Sequence, residues 1–483
     1  MSREKEFVKN SAILSIGTIV PKITSIITLP IITGCLTKAE YGTYDLITVC
    51  VLLVLPVATL QMQAAAFRYL VTARGNRQEQ DRIITNIAFF TVPVCIGALM
   101  ILYFILGFWG GFDRTLRILI ILYFFIDTLL ITARQIARGL SMNMVYSVSA
   151  LINSVLEMAG MFLLLYVRGG GLHSAVFVLI MSQLISFVFV TWRGKLLQHV
   201  RPSAFSMEGV KILIDYSWPM IPNSLSSWVM RLSDRMILAA FMGVEATAIY
   251  AAANKLPNMF NIVQSTFSLA WQENASISVG DKDSGEYYGR MFDNIYNIFA
   301  GMMALLIAFT PIAFKILIRG DYSESYNHMP ILYIAVLFAT ISSYLGGIYI
   351  AHMKTKEIGI TTTLAAATNF LINILFVKRI GIYAASLSTL ISYLWLSVYR
   401  MFDVQKFQKI RFSYFRIAAL TMVLAAMSFV CFKRNLYLDL GNMAFSVVFA
   451  FLLNKKIVLT VCGTVLKKAV RRGTEEKKND SDL

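Results

Sequence analysis

The sequence predicts an all-α protein that crosses a membrane about fourteen times, as two six-helix lobes followed by two C-terminal helices. The composition indicates a membrane protein. Of 483 residues, 57% are hydrophobic and only 15% are charged, and the mean hydropathy is +0.66. Soluble domains have about 45–50% apolar and about 25% charged residues. A water-soluble globule would therefore leave much apolar surface exposed. The same numbers exclude a disordered chain and a disulfide scaffold.

Apolar runs of spanning length follow one another along the whole chain. A helix needs about 20 apolar residues to cross a hydrocarbon layer of roughly 30 Å. Separated by turn signals such as Gly169-Gly170-Gly171, such runs predict spans at about 10–33, 42–66, 83–108, 115–137, 144–167, 172–192, 212–241, 246–272, 291–318, 330–352, 358–377, 381–400, 414–432 and 440–461. The connections are too short to hold a folded catalytic domain.

The basic residues between the spans predict the orientation. With the N-terminus inside, the connections on that side hold 29 Lys and Arg residues, against 8 on the other side. Because cytoplasmic connections are enriched in Lys and Arg, both termini are expected in the cytoplasm. The net charge of +17 is thus read as an orientation signal, and no nucleic-acid partner is expected.

Two hairpins of similar sequence indicate an internal repeat. Residues 34–44 and 240–250 each end a long span, turn tightly around an acidic residue and re-enter through a tyrosine, at an offset of 206 residues. Six spans separate them, so the two copies have the same membrane orientation, as in parallel repeats related by an axis along the membrane normal. The predicted organisation is an N-terminal lobe (1–200), a C-terminal lobe (201–412), two further spans (413–462) and a charged cytoplasmic tail (463–483), with a central cavity between the lobes.

Four cations lie far inside predicted spans: Lys22, Arg231, Arg235 and Lys255. A charge at the bilayer centre costs about 2.5–3.5 kcal/mol even on the insertion scale. Four such residues facing lipid would be hard to insert. They are therefore expected to line a water-accessible cavity and to bind an anionic group there.

Helical spacing supports a polar cavity. Trp228 shares a helical face with Arg231 and Arg235, and Asn258 belongs to a stripe of Asn and Ser residues beside Lys255. Arg and Lys side chains would match a pyrophosphate, while Trp228 and Asn258 suit sugar faces and hydroxyl groups. The alternative is that Arg231 and Asp234, three residues apart, only neutralise each other.

The acidic residues identified within spans are Asp127, Glu157 and Asp234. Each is either a pairing partner for a cation or a site for a coupling proton or sodium ion. The sequence contains no nucleophile–base pair, metal-ligand cluster or P-loop motif. No catalytic residue, bound metal or cofactor is expected.

Several motifs resemble bacterial polysaccharide-transporter flippases of the Wzx type, within the multidrug/oligosaccharidyl-lipid/polysaccharide superfamily. The resemblance covers nearly the whole chain in the layout of its spans, and its specific motifs fall in spans one, two, seven and eight. These motifs are Val8-Lys9-Asn10-Ser11, Leu29-Pro30, Glu40-Tyr41-Gly42, the stretch from Tyr216 to Ser226, the stretch from Ser233 to Leu238, Ile249-Tyr250-Ala251 with Asn254-Lys255, and Ala270-Trp271.

The resemblance implies two six-helix lobes in the V shape of multidrug exporters of that superfamily, with spans thirteen and fourteen peripheral. It implies transport of an undecaprenyl-pyrophosphate-linked oligosaccharide from the cytoplasmic to the outer leaflet of a bacterial inner membrane by alternating access, for surface polysaccharide synthesis. A polymerase and chain-length machinery would be partners. A cationic cavity is also implied, but the four cations named above are inferred from this sequence alone.

Three alternatives stay open. A lipid II flippase for peptidoglycan shares the implied fold and the positive cavity. A multidrug exporter of the same superfamily would need acidic residues for organic cations, and the excess of basic residues counts against it. A membrane glycan polymerase would need a long outer loop, whereas the longest outer connection here has about a dozen residues.

Overall fold

The computed structural model describes residues 3–108, 112–218, 220–281, 283–455 and 459, without the side chains of residues 3–16, 18, 19, 222, 223, 226, 227, 230, 231, 262, 266, 269, 270, 273, 277 and 355. Within these ranges the regular structure is helical and contains no strand. The α-helices are α1 Arg3–Cys35, α2 Lys38–Ala58, α3 Met62–Thr72, α4 Arg77–Phe108, α5 Arg114–Gly139, α6 Asn143–Met161, α7 Leu172–Arg193, α8 Met207–Ser217, α9 Met220–Met242, α10 Val244–Ile277, α11 Ser284–Leu317, α12 Ser325–Ala351, α13 Thr355–Ile380, α14 Ile382–Asp403, α15 Tyr414–Phe432 and α16 Leu436–Lys455.

The predicted fold class, an all-α polytopic membrane protein, is confirmed. Among the described residues, eleven helices are long and apolar enough to cross a membrane, each coinciding with a predicted span. The predicted count of fourteen is not confirmed. The other three predicted spans fall on α1, on α8 with α9, and on α10, of which α1, α9 and α10 have side chains that are only partly described.

The second predicted span, 42–66, is interrupted. Its helix ends at Ala58, and Leu60 and Gln61 adopt positive φ angles of 47° and 58° before α3 begins at Met62. Two hydrogen bonds from other parts of the first unit stabilise the break. Ser217 Oγ donates to the Leu60 carbonyl at 2.7 Å, and Gln61 Nε2 donates to Ser224 Oγ at 2.6 Å. Hydropathy alone predicts one continuous span here, because the segments on both sides of the break are apolar.

The chain divides into two compact units. The first comprises Met1–Ala252, Lys315–Ser325 and Thr362–Ser388, and the second Ala253–Phe314, Tyr326–Thr361 and Thr389–Leu483. In the first unit α1 packs closely on α6, since a Cβ at Gly17 would lie 2.8 Å from the Ser147 backbone.

The two hairpins of the proposed repeat meet inside the first unit. Helix α2 begins at Lys38 and α10 at Val244, which are 206 residues apart, the offset found in the sequence. Gly42 packs against the backbone of Val244 and of Ala248, and Ala248 is the position that this offset makes equivalent to Gly42. A contact between equivalent positions is what a pseudo-twofold axis through the crossing would produce.

Replacing Gly42 by Ala is expected to destabilise this crossing, because a Cβ there would collide with the Val244 carbonyl. The matched control is Gly97→Ala on α4, where a Cβ would meet nothing within 4 Å. Ala is the better helix former, so the control should be neutral or slightly stabilising. Thermal unfolding of the two purified variants checks this, and equal midpoints would show that the crossing tolerates a side chain.

Candidate functional site

Lys22 lies on α1, directly after Pro21 and about 20 Å along the helix from its end at Cys35. Its side chain is half-buried, and among the described residues it takes part in no ion pair. Pro21 cannot donate a backbone hydrogen bond to the turn before it, so the helix is locally weakened beside the lysine. Because Lys22 falls inside a predicted span, its side chain is expected to face a polar ligand or water.

Arg235 has a different environment from the one expected for a cavity-lining cation. Its Nε lies 2.9 Å from Asp45 Oδ2, with side-chain exposures of 10% and 6%, so the pair is buried and joins α9 to α2. A buried cation with a carboxylate this close is neutralised locally. The surroundings of Arg235 therefore favour a helix-joining role over substrate binding.

Asp234 is also enclosed by partners within the first unit. Tyr250 Oη donates to Asp234 Oδ2 at 2.7 Å, and Asn373 Nδ2 donates to Asp234 Oδ1 at 2.8 Å. These bonds connect α9 with α10 and α13. Asp234 thus forms a structural junction at the level of the Asp45–Arg235 pair.

Trp228 is buried, and its indole Nε1 donates to the Val49 carbonyl of α2 at 3.2 Å. Its N–H group is already used inside the protein, which favours a packing role for this residue. The Arg231 side chain, in contrast, lies outside the described residues, so the expectation placed on it stays a prediction.

Lys255 and Asn258 belong to the second unit, on α10. Lys255 is half-buried, and Asn258 is exposed and accepts a hydrogen bond from Asn261 Nδ2 at 3.1 Å. Pro257 lies between them inside the helix. The polar stripe predicted on this helix therefore has an exposed amide next to a half-buried lysine.

The remaining acidic residues lie in the first unit. Asp127 is buried on α5 and accepts a hydrogen bond from Gln183 Nε2 at 2.6 Å. Glu157 is half-buried on α6, close to Tyr44 and Tyr123. Asp127 also interacts electrostatically with Arg134 of the same helix. A buried carboxylate is able to exchange a proton or hold a cation.

The end of α1 and the start of α2 contact the turn at residues 318–322 within the first unit. Lys38 Nζ lies 2.7 Å from Asp321 Oδ2, and the Arg319 backbone N–H donates to Thr33 Oγ1 at 3.0 Å. Gly320, at φ +82°, allows the 318–322 turn to approach the Thr33 carbonyl. The hydrogen bond from Lys38, together with its charge, holds the pKa of the Asp321 carboxyl below its usual range.

This pair predicts a small acid-dependent loss of stability. A carboxyl whose pKa is lowered by folding stabilises the protein above its unfolded pKa, and that contribution disappears as the pH falls through the folded pKa. Asp321→Asn should therefore flatten the acid side of a plot of melting temperature against pH. Because Asp321 is exposed, the effect should shrink in high salt. An unchanged acid slope in Asp321→Asn would contradict this assignment.

Several buried charged residues were not identified from the sequence, among them Asp45, Asp81 and Arg400. Asp45 lies within the predicted span 42–66, and a carboxylate inside a span indicates that it pairs with a partner in the protein. Arg400 was assigned to a connection, but it is 4% exposed and donates to Thr361 Oγ1 at 2.9 Å and to the Ser342 carbonyl at 3.0 Å. Among the described side chains, no group of three His, Cys, Asp or Glu could hold a metal ion.

A family model described as polysaccharide biosynthesis protein matches residues 7–271. An uncharacterized membrane protein of Methanocaldococcus jannaschii is 22% identical over an alignment of 325 residues, and the match covers 62% of this chain and 61% of that protein. The match therefore spans less than two thirds of that relative.

Solved structures show the same fold. The lipid II flippase MurJ, in an inward closed conformation, superposes with a TM-score of 0.68 at 13% identity, covering 92% of this chain and 99% of MurJ. An inward-facing multidrug resistance MATE family transporter of the MOP superfamily superposes with a TM-score of 0.65 at 11% identity, covering 82% and 98% of the two chains. At these identities the likeness concerns the fold alone.

Proposed function

The chain belongs to the polysaccharide biosynthesis protein family, as its motifs predicted, and from this premise we propose that it is a flippase for a lipid-linked oligosaccharide. The substrate would be an undecaprenyl-pyrophosphate-linked oligosaccharide, moved from the cytoplasmic to the outer leaflet. The family match and a fold shared with membrane transporters support a transporter, with no catalytic residue required.

The environment of Lys22 is the observation that supports an anionic substrate. Lys22 lies inside a predicted span, is half-buried and forms no ion pair with the described residues, so its charge is energetically costly there unless it meets water or an anion. A pyrophosphate supplies that anion, and an ammonium group binds it through charge-assisted hydrogen bonds. Lys255 and Arg231 are proposed as further head-group ligands, and Asn258 as a ligand for sugar hydroxyls.

Binding the head group is proposed to be one step of alternating access. The pyrophosphate and sugars would bind to the cationic residues while the polyprenyl chain stays in the lipid. In this scheme Arg235 and Trp228 hold helices together and do not touch the substrate, because each is already engaged with α2.

Ion coupling is proposed at Asp127. It is buried and bonded to the amide of Gln183, so protonation or cation binding could change how α5 and α7 pack. Glu157 on α6 is proposed as a second carboxylate for the coupling ion, since it and Asp127 both lie near Tyr123. The proposed location is a bacterial inner membrane with both termini cytoplasmic, where a polysaccharide polymerase and chain-length machinery would receive the product.

Two other substrate classes stay as alternatives to the proposal. A multidrug exporter would present carboxylates to organic cations, and the excess of basic residues in this chain counts against it. A lipid II flippase shares the pyrophosphate head group, so only the sugar separates it from the proposal.

The test is deletion of the gene, followed by measurement of lipid-linked oligosaccharide in each leaflet. The proposed function predicts that the oligosaccharide accumulates in the cytoplasmic leaflet and that peptidoglycan synthesis continues. Accumulation of lipid II would identify the peptidoglycan substrate. An unchanged distribution of both lipids would contradict the proposal.

A further inference from the structure

Residues 402–416, which comprise the end of α14, the connection to α15 and the first residues of α15, carry a concentration of exposed positive charge in the second unit. The cations of this segment are Lys406, Lys409, Arg411 and Arg416, and its single acid is Asp403, which pairs with Lys406 at 2.7 Å. Among the described residues, no carboxylate lies within ion-pair distance of Lys409, Arg411 or Arg416. Three exposed cations thus have no counter-charge within the part of the chain that the structure describes.

The backbone of this segment is held in place. Gln405 bonds Ile410 twice, accepting from its N–H at 3.0 Å and donating to its carbonyl at 2.7 Å. Ile410 and Phe412 are buried, and the Phe412 ring packs at 5.0 Å on Phe292 of α11.

Two glycines of α11 let the segment lie against that helix. A Cβ at Gly289 would lie 2.9 Å from the Arg411 carbonyl, and a Cβ at Gly285 would collide with the Lys409 carbonyl. The cations are therefore presented from a fixed backbone, and binding would require little ordering of the chain.

Exposed aromatic side chains flank the cations. Phe402 is at the end of α14, Tyr414 and Phe415 begin α15, and Phe415 is 87% exposed. Both helices are candidate membrane spans, so these rings and cations lie where two spans reach the membrane surface. Aromatic rings at that depth are typical of the lipid–water interface.

We propose that residues 402–416 form a docking surface for anionic phospholipid head groups, with Lys409, Arg411 and Arg416 binding the phosphate groups. Anionic lipid is the expected ligand because its charge is opposite to that of the segment, and juxtamembrane Lys and Arg clusters attract anionic lipid. The linker from Arg193 to Trp218 offers a comparison. It also exposes aromatic residues, but Glu208 and Asp215 offset half of its four Lys and Arg charges, and Arg201 pairs with Asp81.

The test titrates the purified full chain with phosphatidylglycerol or phosphatidylcholine and counts bound lipids by native mass spectrometry. Wild type should prefer phosphatidylglycerol, and the preference should weaken as salt rises. The triple variant Lys409→Gln, Arg411→Gln, Arg416→Gln should lose affinity for phosphatidylglycerol by about fivefold per cation removed, and its affinity for phosphatidylcholine should not change.

The matched control neutralises three exposed cations of the linker, as Arg193→Gln, Lys195→Gln, Lys211→Gln, and should keep the preference of wild type. Equal preference in the triple variant and wild type would overturn the proposal. Equal loss of both lipids would also overturn it, because that result indicates a structural role. Should the triple variant fail to fold, Lys409→Gln alone is measured against the same fivefold expectation.

Discussion

Replacing Asp45 by Asn is expected to destabilise the protein by about 3–5 kcal/mol, because it leaves Arg235 buried without its carboxylate. A loss of this size should lower the yield of folded protein and its melting temperature. The matched control is Asp321→Asn, which breaks the exposed pair with Lys38 and should change the melting temperature very little at neutral pH.

A double variant separates the two roles that Arg235 could have. Asp45→Leu combined with Arg235→Met removes both charges, and such replacements of buried pairs are often neutral or stabilising. If Arg235 only joins α9 to α2, the double variant should regain both stability and transport. A stable double variant that transports nothing would instead place Arg235 among the substrate ligands.

Charge reversal at Lys22 and Lys255 is expected to reduce transport of the lipid-linked oligosaccharide by about 10- to 100-fold for each residue. The reason is that a hydrogen bond to a charged group contributes about 1.5–3 kcal/mol, and Glu in its place would repel the pyrophosphate. The readout is the leaflet distribution of the oligosaccharide in cells that carry Lys22→Glu or Lys255→Glu.

Two control variants test whether the loss depends on charge and on position. Lys22→Arg keeps the charge and should keep most of the transport, although a fork replaces a point charge. Lys211→Glu reverses an exposed lysine on α8, outside the candidate spans, and should be neutral. Normal transport by Lys22→Glu would remove this lysine from the proposed head-group site.

Much of the fold follows from patterns that a single sequence contains. Apolar runs of about 20 residues predict helices because an isolated backbone in lipid must satisfy its own hydrogen bonds. The hairpin at Gly34–Tyr44 also identified the start of α2, where Thr37 caps the helix and Glu40 bonds back to the Thr37 N–H at 3.0 Å. The offset of 206 residues between α2 and α10 was likewise readable in advance.

The partners of the buried charges could not be read in the same way. Arg235 and Asp45 are 190 residues apart, and Asp234 and Asn373 are 139 apart, so helical spacing gives no sign of either contact. A span with Arg, Asp and Trp on it looks the same whether these residues face water or a neighbouring helix. Only packing decides between the two, and for Arg235 and Trp228 it favours helix contacts.

The break in the second span was hidden for another reason. Leu60 is apolar and Gln61 carries no turn signal, yet both adopt positive φ angles because tertiary hydrogen bonds from Ser217 and to Ser224 hold them there. Such strain is set by the surrounding structure and leaves little trace in local sequence.

The most direct measurement reconstitutes the purified protein in lipid vesicles with a fluorescent polyprenyl-pyrophosphate oligosaccharide and follows its loss from one leaflet. Wild type should accelerate this movement, Lys22→Glu should reduce the acceleration by about 10- to 100-fold, and an organic-cation dye should not be transported. Transport of the dye without movement of the lipid-linked sugar, or full activity of Lys22→Glu, would contradict a cationic site for an anionic lipid head group.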